Sequence, residues 1–322
     1  MDTCRVCGNT AENERFIARE MMFGSRDEFH YFECDVCGCV QIAEVPEDLG
    51  SYYPEGYYAF EPVLPKEKGA LKRWLRRQWA SSSLGSRNPI GWLLTGRYGR
   101  WELLQWMRHA RVSLDNAILD VGCGAGVHLV EMRAAGFSNL TGMDPYIPAD
   151  ITYPNGVRIL RRTLEQTEGE YDLVMLNHSF EHMADPLLAL HEIRRLLRPE
   201  GCLLIRIPVA DCHAWRTYGP DWVQLDPPRH LFVHTRRSMQ HLAEAARLTI
   251  SDVIYDSNAF QFWGSEQYRR DIPLHDARSY LMSPAASPFT AEEIRRFEQA
   301  AAALNQTGEG DQACFYLRKR TS

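Results

Sequence analysis

The sequence predicts an α/β protein, a doubly wound seven-stranded sheet with a small cysteine-rich module in front of it. From residue 117 onward, short apolar runs alternate with stretches of helical periodicity, the pattern of strand–helix units in a largely parallel sheet. The first such run, Ala117 to Val121, stops at glycines in the order Gly122-x-Gly124-x-Gly126, and a helix-period stretch follows from Val127 to Ala135. Ahead of these, two Cys-x-x-Cys-Gly knuckles pair Cys4 with Cys7 and Cys34 with Cys37.

A length of 322 residues suits one α/β domain plus about a hundred residues of additions. No run approaches the ~20 apolar residues that cross a bilayer, and the N-terminus lacks the basic-then-apolar order of a signal peptide. Nine cysteines, several in paired knuckles, then point to a reducing compartment, the cytoplasm, and to metal binding rather than disulfides. A net charge of −6 argues against a dedicated nucleic-acid binder.

Residues 1–60 read as the metal module. A Cys-x-x-Cys turn aims two thiolates at one point, and the glycine after it permits the tight turn. Cys4, Cys7, Cys34 and Cys37 together offer four sulfurs, a donor set for structural Zn2+ with no open position, as in a zinc ribbon. Cys39 reads as packing. Glu28 to Glu33 alternates like a hairpin strand, and five aromatics between Ser51 and Phe60 are expected to pack the module on the main domain.

Residues 61–116 form a basic connection. Pro62 and Pro65 mark a break, after which eleven Lys/Arg face two acids between 66 and 111. Leu71, Trp74, Leu75 and Trp79 share one helical face, with Lys72, Arg73, Arg76 and Arg77 largely opposite. Ser81 to Ser86 reads as a flexible turn and Tyr98 to Arg108 as a second helix. The charge fits a solvated face, a patch for a phosphorylated substrate, or a surface for anionic lipid or RNA.

Residues 117–322 form the main domain, with substrate-side insertions at 208–235 and 256–311. Strand, glycine turn and helix let a ligand lie against backbone N–H groups where a Cβ would block approach. Asp120 is placed to hold a cationic ligand, and Asp144, after the run Leu140 to Met143, to accept ribose hydroxyls. Further strands are expected at 157–160, 171–177 and 202–207, with a helix at 187–197. Strands 249–255 and 313–318 complete the seven. Ligands in such sheets bind at the carboxyl ends of the strands, where Asp120, Asp144, Asn177 and His178 all fall.

The run Ile-Leu-Asp-Val-Gly-Cys-Gly-Ala-Gly at 118–126 closely resembles motif I of the class I S-adenosylmethionine (SAM)-dependent methyltransferases. Tyr171-Asp-Leu-Val, Glu181-His-Met-Ala-Asp-Pro and Leu197-Arg-Pro-Glu-Gly extend the likeness in the family's order, with Glu200 departing from the usual Pro-Gly-Gly turn. The resemblance implies SAM contacts at Asp120, Gly122, Cys123, Gly124, Gly126, Asp144 and Asn177, with Thr163 and Leu164 against the adenine. It also implies that part of 61–116 covers the cofactor.

Substrate choice is expected in the insertions. Asp221 to Phe232 is rich in prolines and aromatics, hence rigid, and Asn258 to Tyr268 looks pocket-lining; Pro284 to Gly310 reads as an exposed helical insertion. Methyl transfer to a hydroxyl needs a base near the nucleophile, and imidazole suits neutral pH. His230, His178 and His182 are the candidates, with His234 nearby; each histidine also has a packing or capping alternative.

A four-cysteine module ahead of such a domain resembles the zinc-containing sugar methyltransferases. The carbon-methylating members carry a further C-terminal domain, and here the sheet pattern runs to the end. The expected activity is therefore SAM-dependent O-methylation of a sugar or saccharide precursor, free, nucleotide-linked or lipid-linked. An RNA base methyltransferase with a zinc module and a non-catalytic SAM-fold binding module are the alternatives. Peripheral membrane contact through 66–111 is a further expectation.

Overall fold

A computed structural model describes residues 2–11, 13–54, 56–63, 69–99 and 101–320. Pro65, Lys66, Glu67, Lys68 and Arg100 of the basic connection lie outside the described residues.

The N-terminal module begins with β1 (Glu14–Arg19), β2 (Glu28–Glu33) and β3 (Val40–Ile42), which pair antiparallel in that order. The main sheet contains β4 (Ala117–Val121), β5 (Asn139–Met143), β6 (Ile151–Thr152), β7 (Arg158–Leu160), β8 (Tyr171–Asn177) and β9 (Leu197–Pro208). After β10 (Phe232–Val233) come β11 (Leu248–Tyr255) and β12 (Gln312–Lys319), and the order across the main sheet is β11-β12-β9-β8-β4-β5-β7-β6. All seven expected strands are present. Two-residue β6 adds an eighth at the edge, and it and β12 run antiparallel to their neighbours, so the sheet is mixed.

All five residues of β4 are buried, because helices cover both faces of a central parallel strand. The helix Val127–Ala135 leaves the glycine loop and ends at Gly136, whose φ of 108° suits a residue without a Cβ. The helix Pro186–Leu196 starts where its residues dictate: Asp185 accepts a hydrogen bond from Leu188 N–H at 2.9 Å, and proline occupies the first turn.

The module is woven into the insertion. β10 pairs antiparallel with β3, Phe232 opposite Gln41 and Val233 opposite Val40, and so completes a four-stranded sheet. Arg5 donates to the Ile42 carbonyl at 2.7 Å and lies over the Phe232 ring. Thr235 Oγ donates to the Cys37 carbonyl at 2.6 Å while capping the helix Arg236–Ala245. The run 258–268 turns inward: its helix, Phe260–Arg269, packs Phe262, Trp263 and Tyr268 into a core shared with the cysteine knuckles. Large rings that shed water against each other gain more there than at an open wall.

The basic connection departs from expectation in three ways. The serines continue the helix Ala70–Ser83, and the turn falls at Leu84 and Gly85. The helix expected at Tyr98 to Arg108 runs from Glu102 to His109, and an unforeseen helix, Pro89–Tyr98, precedes it and ends at Gly99 with its φ of 72°. Of the expected apolar face only Trp79 is buried. Leu71 is 69% and Trp74 46% exposed, and they are joined by exposed Ile90, Trp92 and Leu93. No helix among the described residues is long and apolar enough to cross a membrane.

Candidate functional site

The site lies along the carboxyl ends of β4, β5 and β8. Gly124 N–H donates to Asp144 Oδ2 at 2.9 Å and Tyr146 N–H to Oδ1 at 2.8 Å, so each carboxylate oxygen is oriented and keeps a further lone pair. Asp120, one strand over, is also buried, and no donor among the described residues bonds its carboxylate. Burial, and then the neighbouring Asp144, pushes the Asp120 carboxyl well above its ordinary range; burial raises Asp144 as well. Two buried acids flank the glycine turn and are suited to a ligand that brings positive charge and hydroxyl donors.

The turn itself is tightly enclosed. A Cβ on Gly122 would come within 2.6 Å of Ser179 Cβ, and Ser179 Oγ donates to the Val121 carbonyl at 2.8 Å. Gly124 has a φ of 53°, and a Cβ there would collide with the Ala59 carbonyl, which accepts from Ala125 N–H at 2.7 Å. The aromatic segment thus covers the glycine turn, and Tyr53 OH lies 3.4 Å from His182 Nδ1. Cys123 lies in the turn, its Sγ directed to the Gly124 carbonyl. Leu164 is buried against Val121 and Met143, whereas Thr163 is exposed.

The histidines fall on the turn after β8 and on the proline-rich loop. Asn177 Nδ2 lies 2.9 Å from His128 Nε2, and its Oδ1 accepts from Arg206 at 3.1 Å. His178, at φ 50°, has Nε2 2.8 Å from Arg206 Nη1 and Nδ1 3.3 Å from Glu181 Oε1. Arginine only donates, so Nε2 accepts and the Nδ1 proton faces Glu181. Both nitrogens of His178 are thus engaged.

His182 and His230 differ. Their Nδ1 atoms sit 2.7 Å from the Arg229 carbonyl and 2.8 Å from the Gln224 carbonyl. A carbonyl only accepts, so each Nδ1 bears a proton, and in the neutral ring each Nε2 offers a lone pair. The rings stand edge to face, 4.8 Å apart. Burial, with His182 adding to it, draws His230 down to about 4. Burial opposes ionisation of Glu181, but the hydrogen bond from His178, and then the neighbouring His182 and His230, bring its carboxyl down to about 2. His234 stacks on Phe232 within the core, with Nδ1 3.2 Å from Ser238 Oγ.

Three residues that the sequence did not single out as site candidates hold this arrangement. Glu181 is fully buried at its centre. Arg229, also fully buried, meets Asp226 through two hydrogen bonds of 2.9 and 2.6 Å and Glu20 at 2.9 Å, fastening the loop to the module. Arg206 pairs with Asp256 at 2.7 Å and lies over the Trp106 ring. The pairing of Glu181 with His182 in sequence was the available signal for the first. Nothing local announces a buried arginine. Arg229→Ala is expected to lower unfolding free energy by about 3–5 kcal/mol, because buried Glu20 and largely buried Asp226 lose their cation. Urea titration of both proteins checks this, and a loss below about 1 kcal/mol would contradict it.

The cysteines form a separate centre. Cys4 Sγ lies 3.7 Å from Cys37 Sγ, and Cys7 Sγ 3.6 Å from Cys34 Sγ. A tetrahedron with Zn–S bonds of ~2.3 Å has edges of about 3.8 Å, so the spacing fits zinc. Hydrogen bonding from Cys37, together with backbone N–H groups and Gln41, brings the Cys4 thiol down to about 4 against the effect of burial. Cys39 stands outside the cluster, buried, 3.8 Å from His234 Nδ1.

A family model described as a methyltransferase domain matches residues 91–253, half of the chain. EEF1A lysine methyltransferase 2 of Mus musculus is 35% identical over 102 residues, which are 30% of this chain and 40% of that protein. Ubiquinone biosynthesis O-methyltransferase of Erwinia tasmaniensis is 34% identical over 110 residues, 30% of this chain and 45% of that one. The chain thus spans less than half the length of these relatives. Among solved structures, StiE O-MT residues 961-1257 has a TM-score of 0.42 at 17% identity, covering 81% of this chain and 85% of that one.

Proposed function

The chain belongs to the methyltransferase-domain family, and from that premise we propose that it transfers the methyl group of SAM to an oxygen of a small polar acceptor, a sugar or saccharide precursor. One observation carries the reading: the acid-flanked glycine turn adjoins a largely buried cluster in which His182 and His230 each turn Nδ1–H to a main-chain carbonyl and bring a ring nitrogen close to Glu181. In this reading Asp120 faces the cationic end of SAM and Asp144 accepts its ribose hydroxyls. Gly122, Cys123, Gly124 and Gly126 give the backbone approach, Leu164 gives an apolar side and Asn177 closes the strand end, with exposed Thr163 at the rim. Ser179 and the aromatic segment exclude water. The acceptor oxygen stands against His182 and His230, with His178 positioning Glu181.

The four cysteines hold a structural zinc in this proposal, which keeps the loop bearing His230 in register. The exposed Leu71, Trp74, Ile90, Trp92 and Leu93 among basic residues favour an acceptor carried on a phosphate or lipid. An RNA acceptor is the second reading, favoured by the same basic face. The tRNA U34 carboxymethyltransferase of Cellvibrio japonicus, 30% identical over 122 residues, covering 33% of this chain and 36% of that protein, accords with it.

Calorimetry with SAM tests the premise of this assignment. Wild type is expected to bind in the micromolar range. Asp144→Ala removes the acceptor for two hydroxyl donors and is expected to weaken binding on the order of a hundredfold, about 3 kcal/mol. Equal affinities would remove Asp144 from the site. Methylation assays on nucleotide-linked sugars, lipid-linked sugars and RNA then separate the acceptors.

A further inference from the structure

We propose that Glu181, His182 and His230 hold a divalent transition-metal cation beside the methyl-transfer centre, leaving positions open for the oxygen of the acceptor. The role in catalysis rests on the methyl-transfer reading above; the binding of the cation does not.

One carboxylate oxygen of Glu181 and one ring nitrogen from each histidine lie within 4.8 Å of one another, and His230 Nε2 is 3.9 Å from Glu181 Oε1. Both imidazoles carry the outer-shell bond that metal-binding histidines use: Nδ1–H donates to a main-chain carbonyl, which fixes the tautomer and aims the Nε2 lone pair. The second observation is Glu181 itself. It is fully buried; Oε1 has only the 3.3 Å approach of the His178 Nδ1 proton, and Oε2 accepts from no donor among the described residues. A carboxylate taken out of water with so few donors is costly, and a cation supplies what is missing.

The donor set selects the ion. Two imidazole nitrogens and one carboxylate suit zinc, manganese or iron(II), whereas calcium and magnesium prefer oxygen alone. Three protein ligands leave at least one position free, unlike the closed four-sulfur centre. The scaffold is firm: Glu181 and His182 share the short turn Phe180–His182, and buried Arg229 pins the loop next to His230. An acceptor hydroxyl coordinated there releases its proton to water more readily. Its oxygen then forms the new O–C bond while the methyl–sulfur bond breaks, and that electron pair stays on sulfur.

Zinc alone is the probe, using the full chain dialysed after loading, with metal counted by plasma mass spectrometry. Wild type is expected to retain two equivalents, and Glu181→Gln and His230→Asn one each. SAM calorimetry on the same samples reports folding and separates the two readings: two zincs without SAM binding would leave the cation site standing and remove its catalytic role. One zinc in wild type, or two in both variants, overturns the proposal. If one variant fails to fold, the other decides.

Discussion

Cys34→Ser is expected to unfold the N-terminal module and to carry the histidine-bearing loop with it. Zinc binding in zinc-finger peptides contributes about 10–16 kcal/mol, which matches or exceeds the ~5–15 kcal/mol that holds a whole domain together. Cys34 is fully buried, and its Sγ lies 3.6 Å from Cys7 Sγ. A serine leaves three thiolates and an alcohol, a poor set for the metal. The effect does not stop at residue 60, because β10 is the fourth strand of the module's sheet and Ile42 N–H donates to the Leu231 carbonyl at 3.1 Å. Glu20 of the module is also one of the carboxylates that pair with Arg229. With the structural zinc proposed above, losing the metal therefore loosens both ends of the segment that places His230. Limited proteolysis should show new cleavage within 1–60 and within 221–235, while the main sheet resists. Cleavage confined to the first sixty residues would mean that the loop stands without the module.

The main sheet and the glycine turn were legible because their signals are local. Ala117 to Val121 is apolar throughout since both faces are covered, and three alternate glycines leave few other conformations for the turn. The knuckles were legible for the same reason: spacing alone brings Cys4 to Cys7 and Cys34 to Cys37. What escaped is made of distant residues. Nothing near Phe232 and Val233 says that they add a strand to a sheet begun two hundred residues earlier. Buried Arg229 is compensated by Asp226, three residues away, but also by Glu20, far back in the chain. The aromatics at 258–268 read as a pocket wall because a run of rings looks the same whether it faces a ligand or the underside of another module. Leu71 and Trp74 misled in the opposite sense: helical periodicity marked an apolar face, and the fold left its first turn uncovered.

Gly124→Val is expected to abolish SAM binding while sparing the rest of the fold. The residue sits at φ 53°, where an L side chain costs about 1–2 kcal/mol and a branched one more. The larger effect is steric. The new Cβ would occupy the space of the Ala59 carbonyl, and that obstacle is main chain rather than the movable end of a side chain. Either the turn shifts, or residues 57–60 lift from it and give up the hydrogen bond from Ala125 N–H. Both outcomes damage the ligand site. A shifted turn moves the Gly124 N–H away from Asp144 Oδ2, the bond that aims that carboxylate; a lifted segment opens the enclosure to water. Two valine methyls would also stand where backbone must approach the ligand. Calorimetry should find affinity reduced by at least a hundredfold, with circular dichroism and zinc content unchanged. Affinity within threefold of wild type would mean that SAM does not lie against this turn, and the assignment of Asp120 and Asp144 as its flanking acids would fall with it.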